Sequence, residues 1–202
     1  PLLAIPLFVL TGTLMDRGGL SKRLVDWSDT LVGGFSGGLG LVMVVSCAVF
    51  AALTGSGPAT VAAIGAILIP SMVERGYAKH TAAGLAAAAG ALGPIIPPSI
   101  PMVIYGVTVG LSISKLFMAG FLPGLLIAVM LMVVNVFIAR RQGVKKVYRK
   151  FNFIRFLKAT FSAITALLLP VIMLGGIYAG IFTPTEAGTV GVIYSLFVTA
   201  VV

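Results

Sequence analysis

Between Leu116 and Ala139 the chain runs twenty-four residues without a charged side chain. As a helix this run is ~36 Å long, and the hydrocarbon core of a bilayer is about 30 Å thick. A second such run, Ala159–Phe182, follows, and a third begins at Thr189. Within hydrocarbon only helices and closed barrels satisfy their own backbone. None of these runs alternates with period two, which a barrel strand would require. Charged residues make up 9% of the chain, far below the roughly 25% of soluble domains. The expected fold is therefore an all-α polytopic membrane protein.

The net charge of +9 is clustered, so it bears on membrane topology and not on nucleic acid. Arg140–Lys158 holds eight of the fourteen basic residues and no acid. Its Val147, Phe151, Ile154 and Leu157 are spaced to face one way, as in a basic amphipathic helix lying in the plane of the cytoplasmic leaflet. Leu20–Leu31 reads as a second interfacial amphipathic helix, with Trp27 as its anchor. Gly33–Gly38 fits either a close-packing helix or a flexible entry loop. Cys47 is the only cysteine, which excludes an intrachain disulfide and a Cys-based metal site. The chain opens on Pro-Leu-Leu and ends inside an apolar run, as a piece of a longer protein would.

Two apolar stretches are interrupted. Leu39–Leu53 and Val61–Val73 are each too short to cross the core, and Thr54-Gly55-Ser56-Gly57-Pro58-Ala59-Thr60 lies between them. The pair reads as a re-entrant hairpin over residues 39–73. The Ala/Gly-rich Thr81–Leu92 then runs into Gly93–Pro101, which holds four prolines in nine residues, before Met102–Leu111 resumes. Each proline removes a backbone donor and disfavours helical geometry in the residue before it. This is a broken helix over residues 81–111. With Arg140–Lys158 in the cytoplasm, the hairpin reading puts every basic cluster on that side. Reading residues 39–73 as one full span splits the clusters across the membrane, against the positive-inside bias.

A helix that stops within the membrane offers free carbonyls, and one that starts there offers N–H groups and partial positive charge. Sodium-coupled carriers bind coupling ions and anionic substrates at such ends. The hydroxyls of Thr54, Ser56, Thr60 and Ser99 are hard oxygen donors suited to Na⁺ or Li⁺. Neither break contains a carboxylate, which argues against Ca²⁺, Mg²⁺ or a proton relay. His80 lies in the polar turn Glu74–His80. An intramembrane serine protease built on Ser56 would need a general base beside it, and this histidine is the only one in the chain. No enzyme chemistry is expected.

Ala51–Gly65, spanning Thr54–Thr60, resembles the first hairpin of the large membrane (M, or DctM-like) subunit of tripartite ATP-independent periplasmic transporters. Gly84–Gly106 is similar to the broken helix that follows in that family. Gly180-Ile181-Phe182-Thr183-Pro184-Thr185-Glu186-Ala187-Gly188 is similar to the link into its second half. The resemblance implies the first half of an inverted-repeat, elevator-type transporter. It implies Na⁺-driven uptake of an organic anion such as a C4-dicarboxylate or sialic acid. The partners implied are a small four-helix membrane subunit and a periplasmic substrate-binding protein, with the bacterial inner membrane as the setting and no cofactor beyond Na⁺. Carried onto this chain, it places a Na⁺ site at Gly55, Ser56, Thr60, Gly93 and Pro97, with Thr54, Pro58 and Ser99 toward substrate. Residues 1–31 then form a scaffold helix end and arm, and residues 32–111 the transport part. A spanning helix and basic arm fill 112–158, and 159–202 begins the second repeat. A binding-protein-independent divalent-anion/Na⁺ symporter is the alternative of related architecture. Glu186 is expected to cap the last helix.

Overall fold

The computed structural model describes residues 2–144 and 152–201, and every regular element in them is a helix. In chain order they are α1 (Ala4–Arg17), α2 (Leu20–Val32), α3 (Gly38–Thr54), α4 (Gly57–Glu74), α5 (Lys79–Gly90), α6 (Ile100–Val109), α7 (Ile113–Arg141), α8 (Phe153–Tyr178) and α9 (Pro184–Val201). Among the described residues, α4, α7 and α8 are long and apolar enough to cross a membrane. The chain is a multi-pass membrane protein.

Helix α3 is the core. Thirteen of its seventeen residues are buried, and it packs on α1, α2, α4, α5, α7 and α8. A helix apolar on every side can be surrounded by protein or by lipid, and α3 is surrounded by protein. In lipid, burying leucine against leucine gains little, so close packing depends on small residues. The α1–α9 pair shows this. A Cβ on Gly188 would sit 2.9 Å from the Leu7 Cβ, and one on Gly191 would sit 3.0 Å from the Thr11 hydroxyl. The Thr199 hydroxyl completes the seam by donating to the Leu14 carbonyl at 3.3 Å.

The helix ends carry the caps their sequences specify. The Ser112 hydroxyl accepts from Lys115 N at 3.4 Å, and Asn152 Oδ1 accepts from Arg155 N at 3.1 Å. Ahead of α9, Glu186 Oε2 accepts from the Thr183 N–H at 2.7 Å, and Glu186 N–H donates back to the Thr183 hydroxyl at 3.3 Å. This reciprocal arrangement is a capping box, the role expected of Glu186.

Several sequence expectations are revised. Helix α4 has eighteen residues, because Gly57–Thr60 form its first turn and do not stay in the loop. At ~27 Å it is no longer too short to approach a full crossing. Gly33–Gly37 is a turn, with Gly37 left-handed at φ 73°. His80 belongs to the first turn of α5 and is exposed. Ile154, Leu157 and Lys158 belong to α8 itself. Arg140 and Arg141 end α7, and residues 145–151 of the basic arm, including Val147 and Phe151, lie outside the described residues.

Trp27, expected as an interfacial anchor, also makes a bond within the protein. Its indole N–H donates to the Thr160 hydroxyl at 3.1 Å. On either side, Arg23 donates to the Ser162 carbonyl at 3.3 Å and Arg155 pairs with Asp29 at 3.0 Å. The residue order makes α2 and α8 antiparallel here. The amphipathic α2 therefore turns its polar side partly onto α8.

The α1–α9 seam yields a test. Gly188→Leu should destabilise the detergent-solubilised protein by about 1–3 kcal/mol through overpacking. Gly175→Leu, where a Cβ meets nothing within 4 Å, should leave the melting temperature unchanged or slightly raised.

Candidate cation site at two converging helix breaks

The first break is tight. Helix α3 ends at Thr54, and Gly55 takes a left-handed φ of 60° and donates its N–H to the Ala51 carbonyl. Ser56 follows in extended geometry and caps α4, its hydroxyl accepting from Ala59 N at 3.5 Å. Proline suits the first turn of a helix, where its missing donor has no partner to lose; Pro58 stands in the first turn of α4, and it is exposed. The second break is built on the same plan. Ser99 caps α6, accepting from Met102 N at 3.4 Å while its hydroxyl donates to the Pro94 carbonyl at 2.6 Å. The Pro97–Pro98 peptide within it is cis.

The two breaks touch backbone to backbone. The Ile100 N–H, at the start of α6, donates to the Gly55 carbonyl at 3.3 Å. A Cβ on Gly55 would lie 2.5 Å from the Pro98 carbonyl oxygen. One on Gly93 would lie 2.6 Å from the Gly57 nitrogen and the Ser56 carbonyl carbon. A side chain at Gly55 or Gly93 has no room, because the obstacle is main chain. The ends of α3 and α5 and the starts of α4 and α6 thus converge on one locality.

Proline then decides which carbonyls go without the usual helical partner, the N–H four residues on. Pro58 removes it from Thr54, Pro97 from Gly93, and Pro101 from Pro97. Two carbonyls in similar positions are served by other groups. Gly90 accepts from the Gly93 N–H at 2.9 Å, and Pro94 accepts from Ser99. Hydroxyls surround the tip. Thr54 and Thr60 are buried with their oxygens 3.3 Å apart. The Thr60 hydroxyl donates to the Ser56 carbonyl at 2.8 Å, and the Ser56 N–H donates to the Thr54 hydroxyl at 3.3 Å. Oxygen donors of this kind fit a hard alkali cation. Among the described residues, no group of three or more His, Cys, Asp or Glu could hold a metal.

A cavity of about 270 Å³ opens beside the tip. Thr54 and Ser56 line it together with Val9, Gly12, Thr13 and Asp16 of α1. Those four residues form one helical stripe at i, i+3, i+4 and i+7. Gly12 is where α1 meets the tip, since a Cβ there would be 2.6 Å from the Thr54 methyl. The expectation of a tip without carboxylates is therefore revised, because Asp16 reaches the same cavity from a distant part of the sequence. Its stripe was visible, but nothing in the sequence joined α1 to the hairpin. Of the expected site residues, Thr54, Gly55, Ser56, Thr60 and Gly93 come together. Ser99 serves as a cap, its hydroxyl donating to Pro94 and accepting from Met102 N. Pro97 lines a different, apolar cavity of about 490 Å³ between α3, α7 and α8.

The sequence model of the DctM component of tripartite ATP-independent periplasmic transporters matches residues 1–202. The chain belongs to this family. Curated relatives of this DctM-family chain include the isethionate TRAP transporter permease protein DctMQ of Oleidesulfovibrio alaskensis, 48% identical over 98% of the chain and 31% of that protein. The C4-dicarboxylate TRAP transporter large permease protein DctM of Vibrio cholerae is 48% identical over 98% of the chain and 43% of its own length. The sialic acid TRAP transporter large permease protein SiaM of the same organism is 43% identical over the full chain and 47% of its own length. The chain thus spans less than half the length of these large permeases.

Gly93→Ala should separate the two breaks and lower stability by about 1–3 kcal/mol. Gly84→Ala, in the preceding helix α5, meets nothing within 4 Å and should be neutral or slightly stabilising. Thermal melts of the two variants side by side check this.

Proposed function

We propose that this chain is the ion-binding half of a TRAP transporter large permease, a secondary carrier that imports an organic anion on a Na⁺ gradient. The observation that carries the reading is the meeting of two helix breaks whose carbonyls at Thr54 and Gly93 lack helical partners. Na⁺ would be held by main-chain oxygens of Thr54, Gly55 and Gly93 with the hydroxyls of Thr54 and Thr60. Ser56 fixes the start of α4 and hence the aim of that helix's N–H groups, which suit a carboxylate. Pro58 leaves the tip's outer side open toward substrate. Asp16 would raise the local cation concentration at the neighbouring cavity, since a carboxylate near a low-dielectric wall attracts counter-ions.

The remaining ligands belong to the part of the permease beyond this chain. Family membership favours a three-component system, with a periplasmic binding protein delivering substrate and a small membrane subunit beside the permease in the bacterial inner membrane. It counts against the binding-protein-independent symporter. The named relatives include carriers for isethionate, C4-dicarboxylates and sialic acid. Their shared chemistry is a small organic anion, and that is the substrate class proposed. Movement of the hairpin and broken helix against the α1–α9 pair would carry the site across the membrane. Gly12 at the contact between them is small enough to let the tip slide.

A serine hydrolase has no support in the geometry. The Ser56 hydroxyl caps one end of α4, and His80 lies beyond the other end, so ~27 Å of helix separates them.

The test is uptake of radiolabelled anion by proteoliposomes holding the full-length permease, its small subunit and its binding protein. Uptake should require an inward Na⁺ gradient, and Thr60→Val should raise the half-saturating Na⁺ concentration about tenfold, equivalent to ~1.4 kcal/mol. Uptake that proceeds equally well without Na⁺ contradicts the proposal.

A further inference from the structure

Asn135 is a buried amide in the last two turns of α7, within its uncharged stretch and only 2% exposed. A polar side chain buried there is costly unless its hydrogen bonds are met. Its Nδ2 donates to the Gly37 carbonyl at 3.0 Å. The Tyr77 hydroxyl donates to the same carbonyl at 2.9 Å, with Asn135 Oδ1 3.2 Å away. Tyr77 is itself 2% exposed, and that burial raises its phenol above the ordinary range, so it remains a neutral donor. Glycine is required on the opposing side. A Cβ on Gly40 would collide with the Asn135 carboxamide, and one on Gly37 would lie 2.8 Å from the Ala139 Cβ.

The same stripe of α7 makes a second attachment at Gln142. Its Oε1 accepts from the Ala78 N–H at 3.2 Å, and its Nε2 donates to the Thr81 hydroxyl at 2.7 Å. Asn135, Ala139 and Gln142 are spaced i, i+4 and i+7, one face of the helix. Toward its other end, α7 touches the second break. A Cβ on Gly120 would be 2.6 Å from the Ile95 carbonyl, and one on Gly124 would be 2.7 Å from Ile96 Cγ1. Helix α7 therefore touches the base of the hairpin near Gly37 and the break near Ile95. Helix α3 joins that same base to the tip, and the tip meets the break at Gly55 and Gly93. These three contacts, with α3 and α7 as the sides, close a ring.

We propose that Asn135 is a positioning residue which, with Tyr77 and the Gly37 carbonyl, fastens α7 as a splint along the hairpin. The splint makes α3, α4, α5 and α7 one rigid body and holds the tip in register with the second break. Helix α7 then belongs mechanically with residues 32–111. This inference stands apart from the Na⁺ reading, and its test needs neither Na⁺ nor a substrate.

The experiment is a distance measurement by pulsed electron resonance on the full-length permease in liposomes. Cys47 is replaced by Ala, and spin labels are placed at Ala66 of α4 and Leu122 of α7, both exposed. Ala66 lies eleven residues from Tyr77 and Leu122 thirteen from Asn135. With the native node the distribution should be a single narrow peak. Asn135→Leu should broaden it about twofold or split it, because a discrete alternative packing becomes accessible. Tyr77→Phe, which removes one hydroxyl, should broaden it less. A folded Asn135→Leu protein with an unchanged distribution overturns the proposal, as does a native protein with two separated peaks. If Asn135→Leu fails to fold, a broadened distribution in Tyr77→Phe supports the proposal and an unchanged one overturns it.

Discussion

A main-chain carbonyl surrounded by apolar groups must have a partner, and proline at the fourth residue on takes the ordinary one away. That constraint shapes the centre of this protein. In water such a carbonyl would be solvated at little cost. Amid helices apolar enough to span a membrane, leaving it unmet costs several kcal/mol. Two of the freed or displaced groups are satisfied internally, Gly90 by the Gly93 N–H and Pro94 by the Ser99 hydroxyl. The carbonyls of Thr54, Gly93 and Pro97 lose that partner to proline, and Thr54 and Gly93 are residues of the meeting point itself. The cation proposed for this site would meet that need.

Convergence depends on the glycines. Gly55 and Gly93 abut main chain, which cannot rotate away as a side chain can. Gly12 lets α1 reach the Thr54 methyl, and Gly188 and Gly191 let α9 close on α1. Packing of this kind suits a membrane interior, where the hydrophobic effect gives helices little reason to prefer one another to lipid. The result is a core helix, α3, enclosed by its neighbours, and an α7 whose Leu122, Leu126 and Phe137 face outward.

The positions of both breaks were legible in the sequence because Gly, Pro and Ser act locally. The Thr54–Thr60 tip and the Gly93–Pro101 interruption fall where the residues put them, and Ser56 and Ser99 cap the helices that follow. What depended on tertiary contact was not legible. Ser56 draws Gly57–Thr60 into α4 and lengthens it beyond the apolar run that announced it. Trp27 was legible as a candidate anchor, but its bond to Thr160 on α8 was not. Asp16 joins the tip through the fold alone. Asn135 carried a readable signal, a lone amide in a charge-free run, but its partners Gly37 and Tyr77 are 98 and 58 residues away.

The central claim is that the paired breaks hold an alkali cation. Equilibrium binding of radioactive ²²Na⁺ to the purified full-length permease, without substrate or partners, tests it most directly. Saturable binding that is displaced by excess unlabelled Na⁺, and that is lost in Gly93→Ala while retained in Gly84→Ala, is the predicted result. Absence of saturable binding, or binding unaffected by Gly93→Ala in a folded protein, would contradict it.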